Sequence, residues 1–146
     1  MIDDNRSILS QVKRNAVALI SLTIAISSLA YNTWRNEETE INRNQRIASF
    51  EVLLKLNELQ QVVFHRHYDK DVLDKGNPRT GWTYVLTVRD LSRILHSPLP
   101  KTADKLLSVW NENWEGLGKE KTKVDLIINE IDNVRTETLL LLESLE

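Results

Sequence analysis

The sequence predicts an all-α protein in which a single N-terminal transmembrane helix continues into an antiparallel bundle of about four helices. Three observations predict this fold. Only four glycines and three prolines occur in 146 residues, so few residues interrupt helices. One stretch near the N-terminus is uncharged and long enough to cross a membrane. The remainder repeats apolar residues at the three- and four-residue spacing of amphipathic helices.

Composition and motifs exclude several classes of function. The formal net charge is −2, so no basic surface is indicated and nucleic acid is not an expected partner. The absence of cysteine excludes disulfides, thiolate zinc sites and cysteine nucleophiles. Gly116-Leu117-Gly118 follows no predicted strand and lacks the lysine of a phosphate-binding loop, and no serine lies in a nucleophile elbow. We therefore expect no enzyme and no cofactor.

The predicted transmembrane helix covers residues 15–34 and follows a short tail of residues 1–14. No charge occurs between Ala16 and Tyr31, and the whole segment reaches the roughly 20 residues needed to span the hydrocarbon layer. A cleaved signal peptide is the alternative, because Ser28-Leu29-Ala30 fits a cleavage site of small residues. We expect an uncleaved anchor in the cell (inner) membrane.

Basic and aromatic residues flank this helix and are predicted to lie at the membrane interface. Lys13 and Arg14 precede the span, Arg35 follows it, and Tyr31 and Trp34 lie near its outer end. Two basic residues on the N-terminal side against one on the other slightly favour a cytoplasmic N-terminus. The C-terminal domain would then be extracytoplasmic.

Small residues recur along one side of the predicted span at intervals of three and four. Small and hydroxyl side chains allow helices in a membrane to approach closely and to hydrogen-bond. The sequence therefore predicts helix packing through Ala18, Ser21, Ala25, Ser28 and Asn32. The alternative is that these residues are ordinary in anchors and that hydroxyls bond back to their own helix.

Beyond the span, the same helix is expected to continue to about Val72, because residues 35–72 contain neither glycine nor proline. At 1.5 Å per residue, a helix of roughly 60 residues would be about 90 Å long. Residues 35–46 are polar apart from Ile41 and are interpreted as a helical stalk. One apolar face of the outer half is expected to pack in the bundle: Ile47, Phe50, Leu53, Leu54, Leu56 and Val63 or Phe64.

Residues 47–146 are predicted to form the extramembrane bundle. Glycine, asparagine and proline at 74–81 end the first helix, and a second helix is expected over 81–96. The third is predicted to begin with Thr102 as its cap and to end at the glycines of 116–118. The last, over 119–145, has the most regular apolar repeat. Short loops favour antiparallel neighbours.

One cluster of ionisable residues is a weak candidate for a metal site. A helix over residues 65–71 would pair His65 with Asp69 and His67 with Asp71, but on separate faces. His96 could supply a further ligand if the end of the second helix lay alongside. The favoured interpretation is a solvated helix end with ion pairs and no metal.

The sequence thus favours a non-catalytic, single-pass membrane protein whose bundle binds other proteins. It would be an accessory subunit, assembly factor or scaffold of a membrane complex, or it would bind itself as a homo-oligomer. Two alternatives remain open. One is an extracytoplasmic ligand sensor working through a partner, since residues 1–14 contain no output domain. The other is a metal-dependent enzyme using His65, His67, Asp69 or His96.

Overall fold

A computed structural model of the chain describes residues 10–145, and this part contains helices and no strand. The four main helices are α1 (Ala16–His67), α2 (Pro78–Ser92), α3 (Leu99–Asn113) and α4 (Lys121–Ser144). A 3₁₀ turn, Trp114–Gly116, follows α3, and residues 10–14 are also helical. The all-α prediction is confirmed. The chain divides into two units, with the boundary between Ile41 and Asn42.

In the second unit, polar contacts show that α1 and α4 run antiparallel. The guanidinium of Arg46 donates to the carbonyl oxygen of Leu145 at the end of α4. Further along α1 and earlier in α4, Arg135 donates to Asn57 Oδ1 at 2.7 Å and to Gln60 Oε1 at 2.8 Å. As α1 advances from Arg46 to Gln60, its partners move backwards along α4.

The other neighbouring helices are antiparallel as well. Gln45 of α1 contacts Ile94 just after α2, whereas the Lys55 ammonium, further along α1, lies 5.4 Å from the centroid of the Tyr84 ring earlier in α2. Leu99 at the start of α3 lies beside Leu141 near the end of α4, whereas Lys105, further along α3, forms an ion pair at 2.7 Å with Glu130, earlier in α4. The outer part of α1 therefore joins α2, α3 and α4 in a four-helix antiparallel bundle, as short connections favour.

One continuous apolar core lies between these four helices. Burial of such side chains is the main stabilising contribution to a bundle of this size. The regular apolar face predicted for the last helix is buried as expected: Val124, Ile127, Ile131, Val134 and the polar Thr138. The largest fully buried side chains of the other helices are Val52, Leu56, Leu59, Val63, Val85, Val88, Leu99, Leu106 and Trp110.

The helix ends differ from the predicted ones for local reasons. α1 ends at His67 rather than near Val72, because Lys70 adopts a left-handed conformation with φ 55° that no α-helix continues through. α2 begins at Pro78 rather than at residue 81. Asn77 caps it by accepting a hydrogen bond from the Arg79 N–H at 3.0 Å, and proline is favoured in the first turn.

The predicted cap of the third helix is wrong. α3 begins at Leu99, so Thr102 lies inside its first turn, where its hydroxyl donates to the Pro98 carbonyl at 3.2 Å. Pro98 and Pro100 therefore sit at the start of the helix, where a missing N–H leaves no hydrogen bond unmade. α2 ends at Ser92 rather than at residue 96.

Candidate functional site

The N-terminal half of α1 is apolar and exposed. It contains a stretch that is long and apolar enough to cross a membrane by length and composition, and none of that stretch is buried within the chain. Leu22, Ile24 and Leu29 are 57%, 60% and 68% exposed. A helix that is apolar all round is normally found in an apolar environment. By length and composition this part of the described chain is suited to such an environment.

The small residues predicted to pack against other helices lie on this exposed part of α1. Thr23 donates its hydroxyl to the Leu19 carbonyl at 2.9 Å, the back-bonding by which a helix satisfies hydroxyls in apolar surroundings. The spacing brings the five predicted positions to one side of the helix. All five are exposed, and their role in packing stays a prediction: Ala18, Ser21, Ala25, Ser28 and Asn32.

The predicted interfacial anchors are exposed at both ends of the apolar stretch. Tyr31 and Trp34 are each 58% exposed, and their ring centroids lie 6.0 Å apart. Lys13 and Arg14 belong to the helical turn that precedes α1, and Arg35 follows the aromatic pair. Amphipathic rings and basic side chains in this order are typical of membrane boundaries.

In the second unit, α1 is apolar on two opposite faces. Val52, Leu56 and Val63 are fully buried in the bundle. Ile47 and Phe50 are both 57% exposed on the other side of the helix. The prediction of one shared core-facing side is therefore wrong. Leu56 and Val63 face the core, whereas the outward residues form a second apolar row that we call the outer face: Ile47, Phe50, Leu54, Phe64 and Tyr68.

A buried glutamine and an exposed arginine connect α1 to the rest of the bundle. The side chain of Gln45 donates to the Ile94 carbonyl at 2.6 Å and accepts from the His96 N–H at 3.0 Å. Both Gln45 and Arg46 fall in the segment interpreted from sequence as a stalk, yet they bond to the loop after α2 and to the end of α4. The available signal was spacing, because Gln45 precedes the buried Val52 by seven residues.

The ionisable cluster at the end of α1 does not assemble into a metal site. His65 Nδ1 lies 2.5 Å from Asp69 Oδ2, so the first predicted pair is confirmed. The second is wrong: His67 Nδ1 lies 2.9 Å from the Leu117 carbonyl oxygen. His96 is exposed after α2. Over residues 10–145 no group of three or more potential ligands of the types His, Cys, Asp and Glu comes together.

Asp71 instead organises the turn that follows α1. Its carboxylate accepts hydrogen bonds from the backbone N–H groups of Asp74 and Leu73, both at 3.0 Å, and of Gly76 at 3.2 Å. These donors stabilise the charged form and lower the pKa of Asp71 from 3.8 to about 2. The carboxylate has a structural role in this turn.

Three tryptophans pack together at the end of the bundle where α2 begins. Trp82 makes edge contacts with both of the others, at centroid distances of 6.3 Å to Trp110 and 6.4 Å to Trp114. Trp110 is fully buried, and its indole Nε1 has no partner among the described residues. All three rings belong to the core or pack against it, so their role here is packing.

An open groove of about 660 Å³ lies between α3 and α4. Its lining includes Lys101, Lys105, Glu130 and Glu137. The nearly buried Glu130 carboxylate is already bonded, to Lys105 at 2.7 Å and to the Asn133 amide at 3.1 Å. The groove therefore has the character of a satisfied polar boundary between two helices.

The exposed surfaces of α1 are the features of the described chain best suited to bind a large partner or a membrane. The chain matches no family model, and neither a curated protein nor a solved structure matches it. Its function is therefore inferred from these surfaces.

Proposed function

We propose that the protein is a single-pass, membrane-anchored helical interaction protein that serves as an accessory subunit, assembly factor or scaffold of a membrane complex. The observation that carries this proposal is the apolar stretch of α1, which is long enough to span a membrane and is unburied within the chain. A core helix of a soluble protein would hide such a stretch. A signal sequence would have the same length and composition, but α1 continues unbroken past Ser28-Leu29-Ala30 to His67, which favours a retained anchor.

The proposed orientation follows from the flanking basic residues. Lys13 and Arg14 on one side outnumber Arg35 on the other, and basic residues favour the cytoplasmic side of a span. The span would lie in the cell (inner) membrane, with the N-terminus on the cytoplasmic side. The bundle would then act outside the cytoplasm.

The mass and composition of the complex extracted from native membranes in mild detergent test this proposal. A stoichiometric foreign subunit would support an accessory or assembly role, and a pure homo-oligomer would support a scaffold. A chain recovered in the soluble fraction would contradict the membrane anchor. A monomer in the detergent extract would contradict the interaction role.

The small-residue stripe gives a sharper prediction within the same proposal. Replacing Ser21, Ala25 and Ser28 together with leucine should weaken association severalfold, because leucine prevents close approach of the helix backbones. Insertion should be preserved, since leucine favours it. Conversion of the bulky positions Val17, Ile20 and Ile24 to leucine is the matched control. Association unchanged by the first triple substitution would mean that the stripe is only composition.

A further inference from the structure

We propose that two copies of this chain pair in parallel through the outer face of α1, with Ile47, Phe50 and Leu54 at the centre of the contact. The inference rests on the proposed membrane function for its direction, because two copies anchored by the same span share one orientation. It goes further by naming the surface, the occupant and the register.

The outer face has the geometry of a helix–helix contact. Ile47, Phe50 and Leu54 follow one another at intervals of three and four residues and are 57%, 57% and 54% exposed. At 100° per residue they lie on one side of α1, opposite the buried Val52 and Leu56. Intervals of three and four are the pattern by which two helices interlock side chains along a seam.

An exposed row of this kind is unusual for the surface of a bundle. A helix that packs by one face normally presents polar residues on the other. Single exposed apolar residues are common, but a contiguous row marks a binding surface more often than chance exposure. Leu139, 45% exposed, follows Arg135 by four residues, which places it on the side of α4 from which Arg135 contacts α1.

Charges beside the row favour a second copy in parallel. Arg46 and Glu51 flank Ile47 and Phe50 on opposite sides of the seam. In a parallel, in-register pair, a basic residue at the first of these positions faces an acidic residue five positions further along the other helix, so Arg46 would meet Glu51 of the partner subunit twice by symmetry. Arg46 already donates to the Leu145 carbonyl, but a guanidinium has further N–H donors.

The antiparallel arrangement lacks this complementarity. An antiparallel pair brings the Glu51 side of each helix against the same side of the other, so Arg46 and Glu51 would not meet. Within one chain Lys55 forms its ion pair with Glu58 at 2.7 Å and attracts Glu51 only through space, so the Glu51 carboxylate can also meet Arg46. The charge pattern and the shared anchor thus select the same direction.

The absence of cysteine from the chain makes the contact directly testable. Single-cysteine variants Ile47→Cys, Phe50→Cys and Leu54→Cys of the full-length protein are oxidised with copper phenanthroline in native membranes. In a parallel register each residue meets its own copy, so all three variants should form disulfide-linked dimers. An antiparallel pair would link at most the position nearest its centre. Leu126→Cys, 50% exposed on α4, is the matched control and should give severalfold less dimer.

Maleimide labelling separates the possible failures. Cysteines that form no disulfide and still react with maleimide would show that nothing covers the outer face, and this would overturn the pairing. Unlinked cysteines protected by a co-purifying foreign subunit would also overturn it, while leaving the interaction function intact. Linkage at all three positions in a chain that fractionates as soluble would support the pairing and contradict the membrane anchor. Linkage as strong at Leu126→Cys would overturn the specific contact.

A charge placed in the seam gives an independent check. Leu54→Arg introduced beside Phe50→Cys should lower the yield of disulfide-linked dimer at least severalfold, because two buried guanidinium groups would face each other. Circular dichroism of the same variant should show an unchanged helical bundle, since Leu54 does not pack in the core. Persistent linkage in this variant would overturn the proposal.

Discussion

At the scale of single residues, packing in the core is close where Gly81 of α2 meets the buried ring of Trp110. A Cβ built on Gly81 would lie 2.3 Å and 2.4 Å from two carbons of the indole ring. The ring is fully buried, so it has no room to move aside. Glycine is therefore required here by close approach, although it weakens a helix relative to alanine.

Gly81→Ala should destabilise the bundle by about 1–3 kcal/mol, the usual cost of overfilling a packed core. This loss outweighs the gain of about 1 kcal/mol that alanine gives a helix. Thermal unfolding followed by circular dichroism measures the difference. Gly118→Ala is the control, because its Cβ would meet Arg66 only at 3.5 Å, an ordinary contact. A stabilised Gly81→Ala variant would contradict the close packing.

A second residue-scale prediction concerns the Asp71 turn and pH. A carboxyl whose pKa is lowered by folding stabilises the folded state above its unfolded pKa and loses that contribution as pH falls to its folded pKa. With a folded value of about 2, Asp71 should stabilise the protein fully above about pH 4. Asp71→Asn should therefore unfold at a lower temperature at neutral pH.

The gap between the wild type and Asp71→Asn should shrink as the pH is lowered from about 4 towards 2, because the wild-type carboxyl becomes protonated over this range. Melting curves across these pH values test the sign. Asp69→Asn is the control, because it removes a neighbouring, exposed carboxylate that pairs with His65 and lies outside the turn. A gap that is constant down to pH 2 would show that the charge of Asp71 does not stabilise the turn.

Residue-scale prediction from sequence works where the signal is local and fails where it is not. Periodicity alone identifies the buried Val124, Ile127 and Ile131 of α4. It says nothing of Gln45 bonding to the Ile94 carbonyl, or of Arg135 bonding to Asn57. These partners lie far apart in the chain, and only the packing of whole helices brings them together.

At the scale of elements, α1 shows how one helix can present two different surfaces. The buried row and the Ile47, Phe50 and Leu54 part of the outer face both repeat at three and four residues, so periodicity detects both and assigns neither to the core. What separates them is the position of α2 and α4, fixed by contacts such as Arg46 with the Leu145 carbonyl. The sequence therefore predicts the helix and its amphipathic character, but not which row is outward.

Replacing leucine with alanine should cost much more folding stability in the buried row of α1 than in the outer face. Leu56→Ala should cost about 2–5 kcal/mol of folding stability, because Leu56 is fully buried and its loss leaves a cavity. Leu54→Ala, at a position 54% exposed two residues earlier, should change folding stability by less than about 0.5 kcal/mol. Denaturant unfolding in dilute detergent measures both.

Measuring association as a function of protein concentration distinguishes the two rows further. If Leu54 belongs to a contact between chains, Leu54→Ala should weaken association even though the monomer remains stable. Equal losses of folding stability in both variants would contradict the assignment of two faces. This comparison uses one residue type on one helix, so helix propensity cancels.

At the scale of the whole molecule, the two units differ in what surrounds their apolar side chains. In the second unit the four helices bury them in a shared core. In the first, side chains such as Leu22 and Ile26 are more than half exposed. The sequence predicts both properties from charge-free length and from amphipathic spacing. The partner and the membrane side depend on molecules outside the chain. The residues of the chain indicate only the membrane side, through the basic residues that flank the span.

The membrane anchor can be tested by placing charge at the middle of the span. Lysine near the centre of a membrane helix costs roughly 2.5–3.5 kcal/mol, and leucine or isoleucine contributes favourably. Leu22→Lys combined with Ile26→Lys should therefore disfavour insertion by roughly 6–8 kcal/mol. We expect the double variant to move from the membrane fraction to the soluble or aggregated fraction after carbonate extraction.

The matched control places the same charges on the same helix outside the span, as Asn36→Lys with Thr39→Lys. Both residues are exposed and lie beyond Arg35, so insertion should be unchanged. The contrast between the two pairs isolates the depth of the charge from its mere presence. If the Leu22 and Ile26 variant stayed in the membrane fraction, the chain would be held there by its bundle, and the apolar half of α1 would need another cover, such as helices of a partner protein.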